Sequence, residues 1–467
     1  MSRMNIFGGS EKYSYTLLAA STRGASPKTQ FLRIVPFVFL ILLVTCITFT
    51  SLYSSRLRHV PAQSTWPSWI DDTIPAEFLK RNHKPLPVPG AEDSLLMLKT
   101  GAQVLWNRLP IHITRLSQID APNQVIYSDL EETIQGHHVI DILANVSQKL
   151  KKHEHFKTYH EQQKLHKEGV SLAAAKIEGG WTLDKYKWLP MFEHAYKNYP
   201  DMKWYIFYEA DSFTFWNALN RWLNANFDSE EAWYMGSRNM YGGTYFGHGG
   251  SGVVVSHGAM KKTFGGPEGF NLDDYDDEAI SNCCGDALLG VVMEKKGVKM
   301  WDERHARFQG EQTWGIRHRP QEWCEPIFTL HHLLPKEVSM LHEWEMGLIP
   351  KKPILYRDLY EKFVSAEITD LKSNWNNLAD GLNIEFKALL EEFEGDAEVP
   401  KDSKGNPKVK DACRIKCEKL KECLTWRVTD KECGLATTLS LGQKEKGVTS
   451  GWMRERIERL RATKCKA

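Results

Sequence analysis

Met202-Lys203-Trp204-Tyr205-Ile206-Phe207-Tyr208-Glu209-Ala210-Asp211 is the stretch that decides how the chain folds. Five apolar or aromatic residues in a row, Trp204 to Tyr208, fit a strand covered on both faces. Two acids with one residue between them follow at once. In open α/β sheets, ligands bind beyond the carboxyl ends of the strands. Acids placed there project at the lip of the sheet, and a pair of them suits a hard cation such as Mn²⁺ or Mg²⁺, with water and diphosphate oxygens completing the shell.

Working outward, SLLMLKTG (Ser94 to Gly101) reads as a first strand ending at Lys99-Thr100-Gly101. NQVIYSD (Asn123 to Asp129) reads as a second strand that ends in an acid. Trp106 to Leu116 has helical spacing, and an amphipathic helix is expected near Asp184 to Asn198. The alternation of strands and helices predicts an α/β fold with a mixed, mostly parallel sheet and flanking helices. Further along come HGGSGVVVSHGAM (His248 to Met260), Cys283-Cys284-Gly285-Asp286 and Phe328-Thr329-Leu330-His331-His332. The acid Asp286 stands before an apolar helix that ends near Gly297, where it is suited to be an N-cap. The run DDYDDE, with Asp273, Asp274, Asp276 and Asp277, reads as a solvated loop.

Strand, Glu-Ala-Asp, Gly-rich strand, acid before a helix, and strand-end His occur in an order that resembles the glycosyltransferases of family 31. The fungal members are the nearest, with core 1 β1,3-galactosyltransferase and the Fringe enzymes more distant. The similarity runs from about Leu95 to Glu345 and implies a GT-A-like domain. The family's D-D-D-T-[YF] motif falls on Glu209-Ala210-Asp211-Ser212-Phe213, so Asp211 matches the metal-binding acid. Glu and Ala replace the first two acids, which leaves Glu209 a supporting role. The family's G-G-[AS]-G element falls on Gly249, Gly250 and Gly252, where bare backbone lets a sugar approach closely. Asp286 matches the general base and His331, with His332 as its neighbour, the histidine of the metal shell. Thr100 and Asp129 lie where the family binds its nucleotide. The resemblance therefore implies a UDP-sugar donor, Mn²⁺ or Mg²⁺, and inverting transfer of a hexose to a hydroxyl of a glycan or glycoprotein acceptor. The rivals are a non-catalytic lumenal carbohydrate-binding or adhesion protein that kept the fold, and a nucleotide-sugar hydrolase.

Residues 34–53, IVPFVFLILLVTCITFTSLY, carry no charge. Twenty such residues reach across a bilayer as a helix. Arg3, Lys12, Arg23, Lys28 and Arg33 precede them against Glu11 alone, so the positive-inside rule predicts a single-pass type II protein. Its catalytic bulk would face the lumen of the Golgi or endoplasmic reticulum. Asn145-Val146-Ser147 is a glycosylation sequon in that setting. The expected divisions are a tail (1–33), the span (34–53), a Pro-rich stem (54–90), the transferase domain (91–345), a helical extension and linker (346–408) and a terminal module (409–467).

Of nine cysteines in the chain, Cys46 lies in the span, and the even remainder predicts disulfides in an oxidising compartment. Cys413, Cys417, Cys423 and Cys433 follow the spacing C-x3-C-x5-C-x9-C, for which zinc is the competing explanation. The stretch from Cys413, with Ser450-Gly451-Trp452-Met453 after it, resembles a PAN/apple module, a small disulfide-rich α+β unit that binds protein or glycan. That resemblance implies nested bridges, Cys413 with Cys433 and Cys417 with Cys423. With 60 basic and 59 acidic side chains and a net charge of +1, the chain lacks the basic excess of a nucleic-acid binder.

Overall fold

The computed structural model describes residues 90–467, apart from 117–120, 267–268, 302–305, 349–352, 395, 406 and 466–467. The tail, the span at 34–53 and the stem expected at 54–90, apart from Gly90, lie outside the described residues. Among the described residues, no helix is long and apolar enough to cross a membrane.

The strands are β1 (Ser94–Lys99), β2 (Gln124–Ser128), β3 (Glu132–Ile134), β4 (His137–Asp141), β5 (Trp204–Glu209), β6 (Phe213–Thr214), β7 (Tyr234–Gly236), β8 (Arg238–Tyr241), β9 (Thr244–Gly247) and β10 (Val253–Ser256). They are followed by β11 (Thr329–Leu330), β12 (Leu371–Asn376), β13 (Leu382–Glu385), β14 (Thr425–Val428), β15 (Glu432–Ala436) and β16 (Gln443–Trp452). The main sheet has the order β3-β4-β2-β1-β5-β10-β7. Strands β4, β2, β1 and β5 are mutually parallel, while β10 runs against β5 and β7, and β3 against β4. The sheet is therefore mixed but mostly parallel.

Side chains of the central strands alternate between two cores. Leu95 and Met97 of β1, with Tyr205 and Phe207 of β5, pack under the helices Trp188–Asn198, His257–Phe264 and Gly285–Lys295. Leu96, Leu98, Trp204, Ile206 and Tyr208 face the other way, onto Leu105–Leu116 and Trp216–Asn226. Both faces are covered, which is why the strand sequences run apolar without a break. Each fully buried side chain of this size contributes roughly 1.5–3 kcal/mol. All the parallel strands point their carboxyl ends to one edge of the sheet.

Two elements differ from the sequence expectation. The helix expected from Asp184 is regular only over Trp188–Asn198; before it lie a short helix, Gly180–Asp184, and a 3-10 turn, Lys185–Lys187. The tighter turn swings Asp184 and Lys187 toward the carboxyl edge of the sheet. The stretch 346–408 is not simply helical. It holds the helices Tyr356–Phe363 and Phe386–Glu392, but also β12 and β13. Those strands form the two edges of a five-stranded antiparallel sheet, β12-β16-β14-β15-β13. Leu389, Phe393 and Val399 share one apolar cluster with Ala412, Cys413 and Trp426. The terminal unit thus takes in residues from 371 onward, because pairing with β16 and β15 outweighs the helical tendency of an acidic stretch.

The disulfides in this unit are Cys413–Cys433 and Cys417–Cys423, nested as expected. A third, Cys324–Cys465, ties its C-terminal end back to the first domain. Trp323 and Tyr360 share an apolar cluster with Leu424, Leu439, Trp452 and Ile457. His318 and Leu439 exchange backbone hydrogen bonds of 2.8 and 2.9 Å. The two parts are joined by a continuous core.

Candidate active site

A cleft of about 760 Å³ opens at the carboxyl edge of the parallel strands. Thr100 after β1, Asp129 after β2, and Glu209 and Asp211 at the end of β5 all line it, together with Gly250, Asp286, His331 and His332. Sequence positions more than 200 residues apart converge here because each ends a strand or starts a helix on the same edge.

Asp211 and His331 are buried, and His331 Nε2 lies 3.4 Å from Asp211 Oδ1. One ligand atom from each of Asp211, His331 and His332 falls within 4.8 Å of the others. Neighbouring residues on a strand project to opposite faces, so two consecutive histidines would ordinarily diverge. Here His332 adopts a left-handed backbone, φ 56°, a conformation that costs a non-glycine residue about 1–3 kcal/mol. The turn folds its ring back over His331, with centroids 3.8 Å apart and planes 29° from parallel. His332 therefore joins the group beside His331.

The chemistry of this set fits a divalent cation: one carboxylate and two imidazoles, leaving positions for water or phosphate oxygens. Asp211 Oδ1 is buried without a well-formed hydrogen bond, the state expected of a ligand atom that faces an ion. Burial works against the charge on Asp211, but the nearby His331 ring and the Arg108 guanidinium more than offset it and hold its carboxyl below the ordinary value. Arg108 Nη1 is 2.9 Å from Asp211 Oδ2.

Glu209 is not part of that group. It faces Lys99 across the β1–β5 register and pairs with its Nζ at 3.0 Å. Lys99 also binds Asp184, which in turn holds Lys187 at 2.7 Å. Burial opposes the charge on Lys99, yet Asp184 and Glu209 outweigh it and keep its pKa above the usual lysine range. The same trade holds for Asp184: burial disfavours its charge, and Lys187 and Lys99 nonetheless hold the carboxyl well below the usual range. Lys187 Nζ donates to the Thr100 carbonyl at 2.8 Å and stands 3.7 Å from Asp129. Asp129 Oδ1 accepts from the Ala102 amide at 2.8 Å, shaping the loop after β1. The floor of the cleft is thus an alternating lattice of lysines and acids.

Asp286 is not the N-cap of its helix. Cys284 holds that position, and Asp286 lies in the first turn of Gly285–Lys295. Its Oδ2 accepts from the Gly249 amide and its Oδ1 from the Ala287 amide, both at 2.9 Å. A disulfide joins Cys283 and Cys284 in the cleft wall just before it. Among the four acids expected in a solvated loop, Asp276 is buried and accepts from Ser147 Oγ at 2.6 Å, while Asp273, Asp274 and Asp277 are exposed.

The glycines act by close packing within the protein. A Cβ on Gly250 would sit 2.0 Å from the His331 ring, and one on Gly249 would sit 2.4 Å from Trp188. Gly252 has φ +81°, and its position is crowded by Thr329. Of the three, Gly250 lines the cleft. Arg108, Asp184, Lys187, Trp181 and Trp188 also line it, and no motif in the sequence marks them. Asp184 and Lys187 stand three residues apart on a helical turn, which is the one signal that pointed to a pair.

No protein-family model matches the chain, and no curated protein matches it.

Proposed function

We propose that the chain is a glycosyltransferase similar to family 31, with a GT-A-like domain and an apple-like terminal unit. It transfers a hexose from a UDP-sugar to a hydroxyl of a glycan or glycoprotein acceptor, with inversion. Residues 34–53 anchor it as a type II protein of the Golgi or endoplasmic reticulum, and the exposed Asn145 suits a lumenal setting. The observation that carries the proposal is the meeting of Asp211, His331 and His332 with Asp286 in one cleft, joined through Gly249 and Gly250.

Asp211, His331 and His332 are the residues that would hold Mn²⁺ or Mg²⁺. The ion, when bound, neutralises charge on the leaving diphosphate. Asp286, aimed by the Gly249 amide, takes the proton of the acceptor hydroxyl as it attacks the anomeric carbon. Thr100, Asp129 and the Lys99–Asp184–Lys187 lattice shape the floor under the nucleotide. The exposed Trp181 at the cleft gives flat apolar surface for a ring.

UDP release from a panel of UDP-sugars, with Mn²⁺ or with EDTA, is the test. Metal-dependent release that needs an acceptor supports the transferase, and release without any acceptor dependence indicates a hydrolase. One observation favours a non-catalytic carbohydrate-binding protein: Glu209 is committed to Lys99 and Asp211 to Arg108. Sugar binding with no release from any donor would establish that alternative.

A further inference from the structure

Arg108 belongs to the first turn of the helix Leu105–Leu116. Its guanidinium takes one oxygen of Asp211, Oδ2 at 2.9 Å, while the other oxygen faces His331. Residues four and seven positions further along the same helical face also reach the Asp211 segment, but through its backbone. His112 Nε2 lies 2.9 Å from the Ala210 carbonyl oxygen, and Arg115 donates to the Thr214 carbonyl. The segment is therefore gripped on both sides of Asp211 without help from Arg108. The Arg115 side chain is 1% exposed, but that of Arg108 is 40% exposed and has room to move.

The other cations lining the cleft have partners outside the metal group. Lys99 and Lys187 are held by Asp184, and Lys185 by the carbonyl oxygens of Ile280 and Asn282. Arg108 is the cleft cation, among the described residues, whose ion pair is with Asp211 itself. A divalent ion on the same carboxylate would stand beside a guanidinium of like sign in a partly desolvated cleft, where repulsion is weakly screened. A diphosphate offers that planar guanidinium two oxygens of opposite sign for bidentate pairing.

We propose, resting on the metal-dependent reading of this site, that Arg108 is an exchangeable counter-cation. It neutralises Asp211 before loading and passes to the donor diphosphate when the metal arrives, so that metal and nucleotide bind as a coupled pair. The side chain discriminates donors by their phosphates, not by their sugars.

The test measures Mn²⁺ binding and UDP binding by calorimetry on the full chain, in wild type and in Arg108→Gln, Arg108→Lys and Asp211→Asn, with melting temperatures alongside. Arg108→Gln should bind Mn²⁺ alone about tenfold more tightly, and UDP in the presence of Mn²⁺ about tenfold more weakly, ordinary sizes for coupling between sites. Arg108→Lys keeps the competing charge and loses the fork, so Mn²⁺ affinity should stay near wild type while UDP affinity falls. Unchanged or weaker Mn²⁺ binding in Arg108→Gln, with binding still lost in Asp211→Asn, would overturn the role of Arg108 and leave the metal site standing. Unaltered UDP affinity in both Arg108 variants would overturn it as well. Absence of Mn²⁺ binding in wild type, or binding unaffected by Asp211→Asn, would remove the metal site and the exchange together.

Discussion

The amide of Gly249 donates to Oδ2 of Asp286 at 2.9 Å, and the next residue, Gly250, packs directly on the ring of His331. Two consecutive glycines thus set the orientation of the proposed base and of a proposed metal ligand from one short turn. A carboxylate held by a backbone amide keeps its aim while leaving lone pairs for an incoming hydroxyl.

Asp286→Asn separates a structural role from a catalytic one. The amide oxygen of Asn can still accept from Gly249, its NH2 loses the bond from Ala287, and that loss together with the charge in the first helical turn is worth about 1–2 kcal/mol. Melting temperature should therefore move little. Turnover should fall on the order of 10²–10⁴-fold, as when a positioned base is removed, with UDP affinity kept. Retained turnover in the folded variant would take the base away from Asp286.

Gly250→Ala places a Cβ where the His331 ring now stands, 2.0 Å from its nearest atom. The ring must leave, or the strand end must shift. We expect a loss of about 1–3 kcal/mol in stability and a marked loss of Mn²⁺ affinity, read by thermal melting and metal titration. Unchanged metal binding would show that His331 is dispensable for the ion.

His318 gives the stability a pH dependence. It is buried among Trp323, Tyr356 and Tyr360 at the junction with the terminal unit. Burial pushes its pKa down to about 3, against about 6.5 for an unfolded histidine. As the pH drops below 6.5, the unfolded chain takes up a proton that the folded chain refuses. Stability falls by roughly 1.4 kcal/mol per pH unit from this group until the folded pKa is reached. Chemical denaturation across pH 7.5 to 4 should show a shallower slope in His318→Phe than in wild type. Equal slopes would mean that His318 is not the responsible group.

Cys465→Ser removes the bridge to Cys324, which closes a long loop between the two parts. Losing such a constraint costs about 2–5 kcal/mol. Because the core around Trp323 and Trp452 is continuous, the variant should still unfold in one transition, at a lower temperature. Two separated transitions in calorimetry would show instead that the bridge is what couples the parts.

The sequence by itself determined the central strands, since Leu95–Leu98 and Trp204–Tyr208 are apolar on both faces and leave a buried parallel strand as the economical solution. It also placed Asp211, Asp286 and His331 at element ends, where such a sheet gathers side chains, and the resemblance of the cysteine stretch to a PAN/apple module implied the nested bridges. Tertiary structure decided the rest. Strands β12 and β13 show no alternation of their own, with LKSNWN (Leu371–Asn376) largely exposed, and exist because β16 and β15 lie beside them. The stacking of His332 on His331 depends on a left-handed turn, uncommon for any residue but glycine. The Lys99–Asp184–Lys187 lattice and the Arg108–Asp211 pair join residues whose proximity arises only when the strand ends meet at one edge. Burial there makes each charge dependent on its partner, a relation between positions distant in the chain that no single stretch of sequence encodes.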